Sequence, residues 1–194
     1  MIVITSPHND KLKEIRRLQR RRERRFVAEG EDLLQAAADA GWPAVYEQHW
    51  AKAPTGPVCI ALWGVHDPGN VGTVLRSALA FGAASVAIGP DTADPFGPKA
   101  VRASMGAIFE VPVARVASVA QLPQPRIALV ARGGEPLRGP KEGTLVLGAE
   151  RQGLPSDVVE ACDAAASIAI AGDSLNAAMA ATVGLYEWTR VAHP

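Results

Sequence analysis

Three short stretches of this chain concentrate residue types able to do chemistry. The first, HDPGNVGTVLRSALAFG, sits at a strand-to-helix corner: Pro68 and Gly69 turn the chain, Asn70 can cap the helix, and Gly72 leaves its first turn bare, as suits an anion. Arg76 follows among Val74, Leu75, Ala78 and Leu79, where a guanidinium is either a functional group or the structural partner of a nearby carboxylate. The second stretch, TLVLGAERQGLP, brackets Glu150 and Arg151 between Gly148 and Gly153. Such glycines admit a flat ligand close to the backbone, and Glu150 can orient a cationic or hydroxyl group, although a plain loop and cap fits the residues equally well. The third, IAIAGDSLNAAMAATVGLYEW, carries Ser174, Leu175 and Asn176 at the start of the last helix, where Ser174 alone reads as an N-cap. No GxGxxG occurs, so a dinucleotide fingerprint is absent.

The elements that must position these residues are legible from residue 58 onward. VCIALWG, SVAIG, IFEVPV, RIALVA, TLVLGA and ASIAIA are short, β-branched apolar runs that predict six strands of a mostly parallel sheet, with helices on both faces. Residues 168–170 are expected to end the last strand. Helices are expected at 71–81, 98–106, 155–161 and 175–191. In such an α/β fold ligands bind at the carboxyl ends of the strands, which is where the three stretches fall.

Residues 10–40 read as two helical segments of different character. Residues 10–25 hold nine Lys/Arg against three acids, a net +6, while the remainder of the formally neutral 194-residue chain carries −6. Arg16, Arg17, Arg20, Arg21, Arg22, Arg24 and Arg25 outnumber any carboxylates that could pair with them, so the run reads as a phosphate-contacting arm, attractive to nucleic acid without indicating which, in preference to a solvated helix face. AKAPTGP, at 51–57, separates this region from the rest, giving residues 1–53 as a basic substrate-binding region and 54–194 as the main domain.

No apolar run reaches the roughly 18 residues of a membrane span and the start lacks a signal-peptide pattern, which predicts a cytoplasmic protein. Cys59 and Cys162 show no CxxC or Cys/His spacing, so no metal site is expected and both read as reduced structural thiols.

Taken together, in their order and separation, the three stretches resemble the three motifs of the SpoU/TrmH family of S-adenosylmethionine-dependent RNA 2′-O-ribose methyltransferases. Asn70, Gly72, Arg76, Phe81 and Gly82 match the first motif, Leu147, Gly148, Glu150, Gly153 and Leu154 the second, and Ser174, Leu175 and Asn176 the third. VRASMGAIFEVPV resembles the family's segment between the first two, and the N-terminal region resembles a shortened form of its substrate-binding domain. Ala169 and Ile170 stand where the third motif usually carries a proline and a methionine, and the turn to Ser174 is shorter than usual.

The resemblance implies a C-terminal trefoil knot that forms the cofactor site, a homodimer, and an RNA substrate, rRNA or tRNA. It implies S-adenosylmethionine contacts at Leu147, Gly148, Ile168, Ile170, Leu175 and Asn176, with Ala131, Arg132 and Gly133 near the adenine. For catalysis it implies Arg76, supported by Asn70, Glu150, Ser174 and Asn176. A guanidinium with a pKa above about 12 is a poor base, so the role that suits Arg76 is to bind the phosphate beside the target ribose and stabilise the developing alkoxide. The alternative is an RNA-binding knotted protein without catalysis; base methylation is disfavoured because the Asn70, Arg76 and Asn176 set resembles the ribose-modifying branch.

Overall fold

The computed structural model describes residues 31–40, 48–138 and 142–190. The seven arginines of the basic run lie outside these residues. Within them the chain alternates strands β1 (Trp50–Ala51), β2 (Val58–Leu62), β3 (Ser85–Ile88), β4 (Val113–Arg115), β5 (Arg126–Leu129), β6 (Glu135–Pro136), β7 (Gly143–Leu147) and β8 (Ala164–Ser167) with helices. The helices are α1 (Glu31–Asp39), α2 (Pro68–Ala80), α3 (Pro98–Ser104), α4 (Ser156–Glu160) and α5 (Ala177–Thr189).

The described strands form one sheet in the order β1-β4-β3-β2-β7-β5-β8-β6, with parallel ladders throughout. A parallel sheet sends every carboxyl end to the same edge, so the loops that follow β2, β7, β5 and β8 are neighbours there. The sheet is buried on both faces, as its uninterrupted apolar strands require. Val58, Ile60 and Leu62 of β2, with Leu145 and Leu147 of β7, pack into a large core shared with α1, α2, α3 and α5. Cys59, Ala61 and Val146 point the other way, into a smaller cluster with Val158 of α4 and Val119 of the 3-10 turn at Val119–Gln121. This is the two-residue alternation of a strand expressed on both faces.

Four expectations require correction. IFEVPV divides into a 3-10 turn at Ala107–Phe109 and the later strand Val113–Arg115, because Gly106 starts the turn with a φ of 94°. ASIAIA starts its strand two residues early, at Ala164, and leaves it at Ser167, so Ile168 and Ile170 lie in the following loop. The short edge strands β1 and β6, two residues each, were not among the six expected. The last helix starts at Ala177, two residues after the predicted Leu175.

Leu33 and Ala37 of α1 join the large core, and β1 pairs with β4, so the described residues before 54 are built into the same body as those after it.

Candidate active site

Two helices set the geometry of the site. Asp67 caps α2, its carboxylate accepting from the Gly69 backbone N–H at 2.8 Å, and Pro68 occupies the first helical position. Asn70 therefore does not cap the helix, and the helix start is not open to an anion: Asp67 also accepts from Lys99 Nζ at 2.6 Å. The Lys99 hydrogen bond, aided by the Gly69 N–H, holds the Asp67 carboxyl below its ordinary pKa. Gly72 serves packing. A Cβ there would fall 2.2 Å from the Ala100 carbonyl oxygen, so glycine is what lets α2 and α3 touch backbone to backbone.

On α5 the cap is Asn176, whose Oδ1 accepts from the N–H groups of Ala178 and Met179 at 2.9 and 3.3 Å. Ser174, the residue read as the cap, stands two positions earlier, exposed in the loop. Asn176 donates its Nδ2 to Asn70 Oδ1 at 3.1 Å, seven residues before Ser77, which shares a 2.7 Å hydrogen bond with Thr182, six after Asn176. Four residues further along each helix, Phe81 and Tyr186 meet edge to face at 6.2 Å. Contacts at such matched offsets make α2 and α5 a parallel pair, with both asparagines at the same end.

Asn70 also donates its Nδ2 to Glu150 Oε1. Asn176, Asn70 and Glu150 thus form a continuous relay joining the loops after β8, β2 and β7. The link between Asn70 and Glu150 spans the point where the strand order reverses, β2 beside β7, which is the position open α/β sheets use for ligands.

Glu150 is also a wall residue of a cavity of about 540 Å3, within the usual range for small-molecule sites of about 300–1,000 Å3. Its walls come from the loops after β5, β7 and β8: Ala131, Leu147, Gly148, Ile168, Ile170 and Leu175 are all present, as are Leu154 and Ser174. A Cβ on Gly148 would lie 2.2 Å from the Gly153 carbonyl carbon, so the loop closes on itself only with glycine there. The lining is mainly aliphatic, with Glu150, Arg151, Gln152 and Ser174 as its polar side chains and no cluster of cations to hold a phosphate. That donor set suits a flat, uncharged ring with a cationic tail.

Three expected contacts fall elsewhere. Arg132 does not line the cavity; its guanidinium bonds Asp173 at 2.6 Å across the two loops, with both side chains largely exposed. Gly133 is likewise outside it, and Asn176 acts through its relay. Arg76 is exposed on α2, and among the described residues it makes neither an ion pair nor a hydrogen bond, so the structural ion-pair reading finds no partner there. Sequence reading missed Leu129, Val130, Ala177 and Ala180 as wall residues; each occupies an ordinary core-like position in its element, with nothing in its type to mark it.

Residues 57–186 match the model of the SpoU rRNA Methylase family. The chain belongs to this family. Within it, a 23S rRNA (uridine(2479)-2′-O)-methyltransferase of Streptomyces viridochromogenes is 36% identical over 142 residues, covering 64% of this chain and 49% of that one. The 23S rRNA (guanosine(2553)-2′-O)-methyltransferase RlmP of Bacillus subtilis is 30% identical over 175 residues, covering 80% of this chain and 69% of its own length. A solved structure, the AdoMet-bound rRNA methyltransferase from Sinorhizobium meliloti, superposes with a TM-score of 0.84 at 29% identity, covering 95% of this chain and 96% of that one. The chain spans about half the length, or less, of several curated relatives it matches.

Proposed function

We propose that this protein is an S-adenosylmethionine-dependent methyltransferase acting on a ribose 2′-hydroxyl of structured RNA, rRNA or tRNA. The observation that carries this reading is the Asn176–Asn70–Glu150 relay ending in the wall of an apolar cavity. The named functions of the Streptomyces and Bacillus relatives, and the AdoMet held by the Sinorhizobium structure, support it.

When bound, the cofactor supplies an electrophilic methyl group on its sulfonium. The chain's own residues do the rest. Leu147, Leu154, Ile168, Ile170 and Leu175 would exclude water from a bound cofactor, and Gly148 lets the loop after β7 close on itself to shape that wall. The relay fixes the Glu150 carboxylate beside the cavity, where a carboxylate favours a cationic centre and accepts from a hydroxyl. With donor and acceptor held in line, proximity provides much of the rate. Arg76 binds the phosphate beside the target ribose and stabilises the alkoxide as the hydroxyl proton departs, the bidentate task for which a guanidinium is shaped.

The reading extends to assembly. α5 is apolar nearly all round, and Met179, Val183 and Tyr186 are 62%, 40% and 54% exposed, with Leu79 of α2 at 39%. A helix of that composition is normally covered on every side. We propose that a second copy covers it, bringing Arg76 of one protomer to the cavity of its partner. The loop and helix after β8 are the segment we assign to the trefoil knot that membership of this family implies. Residues 1–53 are proposed as the RNA-facing region of a cytoplasmic enzyme, with 54–194 as the methyltransferase unit.

Replacing Arg76 with lysine keeps the charge and loses the fork. Methyl transfer to RNA should fall at least about tenfold while S-adenosylmethionine binding by calorimetry is unchanged. Full transfer by R76K refutes the assigned role, and absence of binding heat in the unaltered protein favours an RNA-binding protein without catalysis.

A further inference from the structure

A second cleft, of about 1050 Å3, opens at the carboxyl ends of β2, β3 and β4 and shares no lining residue with the first cavity. Its most distinctive feature is Arg115 over Trp50, backed by the buried Phe96. Trp50 meets the ring of Phe96 edge to face at 5.1 Å, and the Arg115 guanidinium lies over the Trp50 ring, 4.1 Å from its centroid. Arg115 is exposed, and among the described residues it has no ion pair. An exposed guanidinium seated over an indole still offers a planar group to solvent, the kind on which unpaired bases stack.

The charges in the cleft discriminate between the parts of a nucleotide. Asp91 and Asp94 also line it, so Arg115 is outnumbered by carboxylates, an arrangement that repels phosphate. Asp94 Oδ1 accepts from the Phe96 N–H at 3.0 Å, and its second oxygen remains to accept from a base N–H. Position adds a further argument. Pro68 lines the cleft and lies two residues before Asn70, so the cleft and the relay flank the same helix start.

We propose that this cleft receives an unpaired nucleobase next to the target ribose, stacked on Arg115 with its N–H edge toward Asp94. The proposal rests on the RNA reading above and adds to it a site for a neighbouring base.

The test is fluorescence anisotropy of the full chain with a short, end-labelled single-stranded oligoadenylate, its base-free ribose-phosphate counterpart, and the variants Arg115→Ala and Arg115→Lys. Stacking predicts that R115A weakens oligoadenylate binding about tenfold or more, that R115K restores little of it because the plane is lost, and that the base-free strand binds unaltered protein as weakly as oligoadenylate binds R115A. Calorimetric affinity for S-adenosylmethionine should be the same in all three proteins, which also reports that each is folded. Wild-type affinity in R115A or R115K, or equal affinity for the intact and base-free strands, overturns the base site. Failure of the unaltered protein to bind either strand also overturns the base site, whereas the RNA reading itself falls only if the protein transfers no methyl group to rRNA or tRNA.

Discussion

Asn70 uses both ends of its amide on other loops, accepting from Asn176 and donating to Glu150, so one side chain sets the spacing of three motifs. Because Asp67 caps α2, Asn70→Ala should leave the helix intact. We expect methyl transfer to fall at least about tenfold, with the loss in kcat and not in the affinity for S-adenosylmethionine. A matching loss of both, with a lowered melting temperature, would make Asn70 a structural residue. Asp67 carries a separate prediction. Its lowered pKa means that its charge stabilises the folded state above the ordinary carboxylate range, and this contribution is lost as pH falls through the lowered value. Asp67→Asn keeps a cap acceptor without the charge, so the stability gap between the two proteins in urea denaturation should be present at about pH 7 and close below about pH 4. The gap should also narrow with added salt, since Asp67 and Lys99 are both exposed. The sequence displayed these polar residues but not their duties. Asx and Ser side chains near a helix start all satisfy capping rules, and only the positions of strands far apart in the chain decide which is the cap and which is left for the site.

At the scale of elements, the sheet and its main helices were legible because their signals are local: β2, β3, β5 and β7 are short, mostly apolar runs, and α2 and α3 carry proline at their starts. β1 and β6 escaped because strands of two residues have no period to read. Ile168 and Ile170 were misplaced for a related reason: alternating isoleucines signal a buried strand, whereas here both line the cavity from the loop after β8, Ile168 half-buried and Ile170 exposed. Close backbone approaches are equally invisible to periodicity, and two can be tested. Gly72→Ala should cost about 1–3 kcal/mol in chemical denaturation by forcing α2 from α3. Gly148→Ala should weaken S-adenosylmethionine binding more than tenfold by calorimetry, because its methyl would meet backbone atoms of Gly153 and Leu154 at 2.2–2.3 Å. Cofactor affinity near the wild-type value in G148A would mean that this loop does not hold the cofactor.

The whole molecule joins an apolar helix pair on its surface to a charge distribution in which residues 10–25 carry +6 and the remainder −6. The first feature predicts a dimer. Tyr186→Glu places a charge on the exposed α2–α5 face, and sedimentation velocity should show dimers for the unaltered chain and monomers for the variant, with methyl transfer lost from the monomer. A monomeric unaltered protein with full activity would contradict the shared site. The second feature predicts salt-sensitive RNA affinity, as expected where guanidiniums displace counterions from phosphates. The central claim, that this fold brings a sulfonium methyl to a ribose hydroxyl, is tested most directly by incubating the protein with rRNA and isotopically labelled S-adenosylmethionine and then digesting the RNA to nucleosides. The account predicts label in a 2′-O-methyl nucleoside, abolished in the Asn70→Ala protein. Label in a methylated base would contradict it.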